Sequence, residues 1–392
     1  MSPTDPMADG ARSTDPMADG ARPVTPTARD TGPGASQDRP ADSTRPAGPG
    51  KAPALLAARV PLGRSTAWTT RLAFGAAALG NLYRPVTDED ADRALTTAWD
   101  RGLRSFDTAP HYGLGLSERR LGAFLRDRRG DAYTVSTKVG RLLVPAPGAP
   151  GTPGDDLANG FAVPATHRRA WDFTGDGVRR SLEQSLERLG LDRVDTVYLH
   201  DPDHHADQAL REAYPALERL RSEGVVRAIG IGMNQTAVPA RFVTDTDIDV
   251  VLLAGRYTLL DQSGLDVLLP TARRRGVSVV AGGVFNSGLL ADPRPGAPYD
   301  YATAPADTLA RALRLREVCD RHGVPLRAAA ARFPLGHPAV AGVLLGLRGA
   351  EEVTDAADLL DTPLPDALWD DLRAARQLSA DVPVPGPGVS RP

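Results

Sequence analysis

Asp107, Tyr112, Lys138 and His200 are four residues able to exchange or stabilise a proton on oxygen, and each falls at or just beyond the end of a strand-like segment. A phenol titrates near pH 10 in water, so Tyr112 exchanges protons well at neutral pH only if its phenolate is stabilised. A buried ammonium at Lys138 would do that, and Asp107 would keep the ammonium charged in a low-dielectric site. His200, as a donor, would orient a carbonyl or hydroxyl oxygen. None of the four is a source of hydride, so a redox reaction at this site needs a bound cofactor.

These residues are useful only if the chain brings the strand ends together. From Arg71 onward, apolar strand-like runs alternate with helix-like segments, as strand–helix units require. The expected pairs begin with a strand over Leu72–Ala77 and a helix over Asp88–Arg101, for which Thr87 or Asp88 offers a cap. Ser105–Asp107 follows, its strand halted by Pro110 and Gly113, then a helix from Ser117 and a strand over Tyr133–Thr137. A long Pro/Gly-rich excursion from Leu142 to Phe173 precedes a helix over 175–189, in which Leu182, Leu186 and Leu189 recur at helical spacing. Strands at 196–199, 228–231, 250–253, 277–280 and 340–345 follow, paired with helices at 206–222, 236–244, 264–275, 307–322 and 349–360. Eight such units predict an α/β fold, a single (β/α)8 TIM barrel, whose strand C-termini share one face. A doubly wound dinucleotide fold would want a GxGxxG turn after its first strand, but Gly75 to Gly80 reads GAAALG.

The four stretches Phe106-Asp107-Thr108-Ala109, Tyr112-Gly113, Thr137-Lys138 and Tyr198-Leu199-His200 resemble, in order, the motifs of the aldo-keto reductase family. The resemblance runs over about 65 to 378 and implies a catalytic tetrad of Asp107, Tyr112, Lys138 and His200 with NADP or NAD as cofactor. It also implies nucleotide contacts. Gly232-Met233-Asn234 resembles the family's nicotinamide-binding motif, with Asn234 at the carboxamide position. The run Val343 to Arg348 resembles its adenosine-end motif, with Gly346 and Arg348 in place and Glu352 as a further contact. Arg348 could meet a 2′-phosphate with its planar fork. The family motifs also bring Tyr257 and Gly282 to the cofactor, although Ala254 stands where a Gln is common, Gly282 where a Tyr is common, and Ala356 where an Asn is common.

LLAGRYTLL and GGVFNSGLL resemble the branch of this family that holds L-fucose, D-threo-aldose, L-galactose and pyridoxal dehydrogenases. That implies oxidation of an aldose lactol to its lactone, with Tyr112 as base. The alternatives are a pyridoxal or general aldehyde and ketone reductase and, in another class, a non-catalytic nicotinamide-nucleotide sensor. His111, Trp171 and Arg256 are the substrate candidates, each with a plain alternative: a local hydrogen-bonder, a packing residue and an ion-paired side chain. His204 and His205 lack a third ligand at useful spacing, so no metal site is expected.

Composition narrows the remaining classes. A net charge of -3, from 46 basic and 49 acidic residues among 392, gives no reason to expect nucleic acid or an anionic membrane as partner. No run of eighteen apolar residues exists, and a single Cys319 suits a reducing, cytoplasmic setting. Residues 1–52 are Pro-, Gly-, Ser- and Asp-rich, contain TDPMADGAR twice in tandem, and read as disordered. The barrel is expected over 53–380, with 381–392 a flexible C-terminal tail; the oligomeric state is not set by the sequence.

Overall fold

The computed structural model describes residues 54–146, 154–300 and 302–386; the N-terminal tail expected to be disordered lies outside the described residues, as do 387–392, whereas the start of the C-terminal segment expected to be flexible packs on the barrel through buried Val382 and through Val384. Eight parallel strands close into a barrel: β1 (Leu72–Gly75), β2 (Ser105–Asp107), β3 (Thr134–Val139), β4 (Thr196–His200), β5 (Ala228–Met233), β6 (Val250–Ala254), β7 (Ser278–Gly282) and β8 (Val340–Gly346). The ring is completed by β8 beside β1, with Val343 opposite Leu72 and Gly346 opposite Gly75. Their near-continuous burial follows from having side chains in the lumen on one face and under helices on the other.

Helices lie between successive strands, with caps legible in the chain. Thr87 accepts the amide of Asp90 at 3.0 Å to start the helix Asp88–Asp100. Thr174 does the same for Gly177 at the head of Gly175–Leu189, which ends on left-handed Gly190. Between β2 and β3, the helix Leu116–Leu125 is pinned by fully buried Glu118, which accepts the Thr137 hydroxyl at 2.9 Å and is paired with Arg188. This fixes β3, and with it Lys138, against its neighbours. A short hairpin, Arg59–Pro61 with Trp68–Thr70, covers the opposite end of the barrel, where Leu62 and Ala67 pack on Tyr198, Val250 and Val280.

The predicted strands and helices lie where expected, with small shifts at their ends. Lys138, Gly282 and His200 belong to their strands rather than following them, so the strand ends that carry chemistry are hydrogen-bonded backbone. Two helices of seven residues or more do not follow from the pattern, Leu326–Arg332 and Asp366–Ala374, nor does the hairpin of Arg59–Pro61 with Trp68–Thr70. The Pro/Gly-rich excursion also has regular structure. Arg141–Pro145 pairs with His167–Trp171 in an antiparallel ribbon, and Asp155–Asp156 pairs with Phe161–Pro164.

Candidate active site

The site begins where β2 stops at Asp107. Beyond Pro110 the chain turns through Gly113 at φ +61°, where the position of an added Cβ falls 2.2 Å from the Gly80 carbonyl oxygen. An added Cβ on Gly80 would in turn stand 2.6 Å from the Tyr112 carbonyl carbon. Two glycines therefore let the Tyr112 loop and the turn after β1 touch backbone to backbone, which sets the height of the phenol above the barrel.

Lys138, 2% exposed on β3, spends all three ammonium donors inside the site. Its Nζ donates to Asp107 Oδ2 at 2.6 Å, to the Thr108 carbonyl at 3.0 Å and to the Tyr112 hydroxyl at 3.0 Å. Ser136 donates to the other Asp107 oxygen at 2.7 Å, so the carboxylate cannot swing away. Burial opposes the ammonium charge, but Asp107 and Tyr112 outweigh it and hold Lys138 above the ordinary lysine range. For Tyr112 the balance runs the other way. Burial raises its pKa above that of a free phenol, and the Lys138 charge and hydrogen bond recover only part of the shift. The expected lysine assistance is present, but alone it leaves the phenol protonated at neutral pH.

His200 closes the cluster as the last residue of β4, with its ring edge-on to Tyr112 at 6.1 Å between centroids. Burial first, then the charges of Arg141 and Lys138, push its pKa well below the ordinary value, so it is a neutral imidazole with one N–H to donate. Its Nε2 lies 3.6 Å from the Asp201 carboxylate, which Arg141 binds at 2.6 Å.

The ribbon of the excursion forms a second wall that the sequence pattern does not reveal. Phe161 packs edge-on against His111 at 5.1 Å and beside Tyr112 at 6.2 Å. Arg169 donates to His111 and forms a two-toothed pair with Asp156. Arg141 lies 4.3 Å over the Trp171 ring, which stacks on Phe173 at 5.9 Å and stands half-exposed at the rim. Neither strand carries a local signal, since Arg141-Leu142-Leu143-Val144 and Arg168-Arg169-Ala170-Trp171 show no alternation of apolar and polar residues and are paired only across the Pro/Gly-rich tip. His205 packs on Trp171 and Phe173, and the described residues contain no cluster of metal-ligating side chains.

On the β5–β8 side the candidates divide. Asn234 is half-buried just past β5, and its side-chain amide has no partner among the described residues. Gly282 ends β7 with only ordinary contacts where a Cβ would stand, at 3.6 Å from Leu252 and 3.9 Å from Ala254, so nothing in the protein requires a glycine there. Gly346 and Gly349 face open space before the helix Ala350–Asp361. Arg348 donates to the Leu82 carbonyl at 2.8 Å, and its own amide is capped by Glu352 at 2.8 Å, while its buried Nε has no partner. Open glycine backbone at a helix start, an orphan arginine Nε and an unpaired carboxamide fit a dinucleotide laid from Asn234 towards Arg348.

Two candidates do not fit. Tyr257 is 1% exposed, packed against Phe333 at 5.1 Å and His337 at 5.8 Å, and so has no face to offer a cofactor. Arg256 is committed to the Asn234 carbonyl at 2.7 Å, Asp261 at 3.2 Å and Asp300 at 2.8 Å, and so braces Asn234 instead of meeting substrate. Ala356 is buried in its helix at 3% exposure.

A parallel (β/α)8 barrel with an Asp–Lys–Tyr–His cluster at its strand C-termini defines the class: a barrel oxidoreductase acting at a carbon–oxygen bond. The chain belongs to the aldo/keto reductase family, whose model matches residues 71–377. It is an oxidoreductase that works with NADP or NAD. It is 47% identical over 308 residues to a D-threo-aldose 1-dehydrogenase of Pseudomonas sp, covering 78% of this chain and 93% of that one. A pyridoxal 4-dehydrogenase of Microbacterium luteolum is 41% identical over 333 residues, covering 81% and 97%. Among solved structures, an aldo-keto reductase from Bacillus halodurans in its holo form superposes with a TM-score of 0.65 at 25% identity, over 85% of this chain and 99% of that one.

Proposed function

We propose that this enzyme oxidises the cyclic hemiacetal of an aldose to its lactone, with Tyr112 as the base that takes the anomeric hydroxyl proton. The observation that carries this reading is the 47% identity to a D-threo-aldose 1-dehydrogenase across nearly the whole of that protein. The polar wall of Arg141, Arg169 and two neutral imidazoles, His111 and His200, supports a hydroxyl-rich substrate over a simple aldehyde.

The nicotinamide cofactor, when bound, accepts the hydride that leaves the carbon bearing that hydroxyl. Everything else falls to the chain. Tyr112 first gives up its own proton to solvent, Lys138, held by Asp107 and Ser136, stabilises the phenolate so formed, and the phenolate oxygen then takes the proton of the substrate hydroxyl. His200 donates to the substrate oxygen and aligns it with Tyr112. Phe161 keeps water from the phenol, Asn234 is poised to bind a carboxamide, and Arg348 with the Gly346–Gly349 backbone would hold phosphate. The compartment in this reading is the cytoplasm, with Cys319 buried and unpaired.

The test is a panel of aldoses, pyridoxal and simple aldehydes with NAD and with NADP, followed by absorbance of the reduced cofactor. An aldose should give the highest kcat/KM. Turnover of pyridoxal with none of any aldose would overturn the lactol assignment.

A further inference from the structure

The assembly of Asp156, Arg169 and His111 takes no part in the proton transfer, yet it stands against the residues that do. The His111 ring lies 5.8 Å from that of His200 and 6.0 Å from that of Tyr112. From the ribbon, Arg169 donates through Nε to His111 Nδ1 and through Nη2 to the His111 carbonyl at 2.9 Å. The same guanidinium is held by Asp156, with Nη1 to Oδ1 at 2.7 Å and Nη2 to Oδ2 at 2.6 Å. Both side chains are covered, at 4% exposure for Asp156 and 11% for Arg169. A two-toothed pair this enclosed has one geometry, so the donor at Nδ1 does not wander.

The chemical consequence follows from the inventory of protons. A guanidinium has only donors, so Nδ1 of His111 must supply the lone pair, and a neutral imidazole then carries its single proton on Nε2. Burial, followed by the charges of Arg141, Arg169 and Lys138, keeps the ring from taking a second proton. Nε2 has no partner among the described residues.

We infer that the Asp156–Arg169 pair of the ribbon is a specificity clamp, which fixes His111 as the Nε2–H tautomer and so makes it a one-way donor to a hydroxyl or ring oxygen of a polyhydroxylated substrate. The inference rests on the lactol reading for its substrate but not for its geometry. His111 is the contacting residue, and Arg169 and Asp156 act through it as positioning residues. A site arranged to bond a substrate hydroxyl discriminates strongly against an analogue that lacks it, because the donor is then left unpaired.

The experiment has an arm without substrate and an arm with it. Long-range 1H–15N NMR of histidine-labelled enzyme, with the His111 signals assigned from a His111→Gln variant, reads the tautomer directly. The wild type should show Nε2–H, and Arg169→Met should mix in the Nδ1–H form, with its melting temperature recorded to establish folding. Asp156→Asn should loosen the same lock more weakly. In the kinetic arm, Arg169→Met should lower the ratio of kcat/KM for an aldose to that for 2-hydroxytetrahydropyran, which has no other hydroxyl, by about tenfold. The loss should appear mainly in KM. An Nδ1–H tautomer in the wild type would overturn the clamp whatever the substrate, as would a ratio unchanged within about twofold in a folded Arg169→Met enzyme. An Nε2–H tautomer with no aldose turnover would instead sink the lactol reading and leave the clamp standing.

Discussion

The two walls of the site are built differently. On the barrel wall, Asp107, Lys138 and His200 stand on hydrogen-bonded strand ends, and Lys138 has three partners within the site. On the ribbon wall, Asp156, Phe161, Arg169 and Trp171 sit on an insertion between β3 and the helix Gly175–Leu189, whose strands pair chiefly with each other. Under the proposed mechanism the contrast separates the reaction from its choice of substrate: proton transfer, which tolerates little error in distance, falls to the rigid frame, and recognition falls to an appendage that can change without disturbing it.

The strongest way to break this division is Tyr112→Phe, which should lower turnover by roughly 10²–10⁴ with cofactor binding unchanged by fluorescence titration. Near-normal turnover would remove the barrel wall's claim to the chemistry. Lys138→Met should cost about 10²-fold or more, and it tests the electrostatics directly. In cofactor-free enzyme the Tyr112 midpoint, followed by ring 13C NMR, should lie above the ordinary phenol value of about 10 because burial raises it. Since Lys138 favours the phenolate, its loss should move that midpoint further up, and oxidation should then need a higher pH. A midpoint that fell in Lys138→Met would mean that the ammonium does not stabilise the phenolate.

On the other wall, Phe161→Ala should act on binding, raising KM for the best substrate by about tenfold with kcat within a few-fold, as loss of a packed aromatic face implies. An effect on kcat as large as that of Lys138→Met would erase the distinction between the walls. The smallest change is expected at the far rim. Arg348 already donates to the Leu82 carbonyl, so Arg348→Ala should raise the dissociation constant for NADP only a few-fold, and that for NAD less. Equal shifts in both, by calorimetry, would leave Arg348 without a 2′-phosphate to bind.

How much of this is legible in the chain depends on the range of the signal. The barrel and the positions of Asp107, Lys138 and His200 follow from local strand patterns and the rule that strand C-termini share a face. The ribbon does not, because Arg141 pairs with Trp171 across a Pro/Gly-rich tip and neither strand is marked until the other is in place. Tyr257 and Arg256 escape the pattern for a different reason. Gly255, at φ +72°, turns the chain just beyond β6, so the next two side chains leave the mouth of the barrel for the core and for an acidic pair. Pattern matching gives a residue's place along the chain, but not the direction of its side chain after such a turn. The lysine–tyrosine pair is legible as a contact, whereas its net effect on the phenol requires the burial of both groups.

The contact between Gly80 and Gly113 constrains how this protein can change over generations. Neither position accepts even a methyl group without driving two backbones apart, and each is closed by the other, so no single substitution at either can be a small step. Drift and selection are then confined to parts of the mouth where one residue can be exchanged at a time. The ribbon is such a part. On the proposed reading, lineages descending from this chain should therefore keep the glycine pair as a fixed inheritance and diversify their diet of substrates through the ribbon strands Arg141–Pro145 and His167–Trp171.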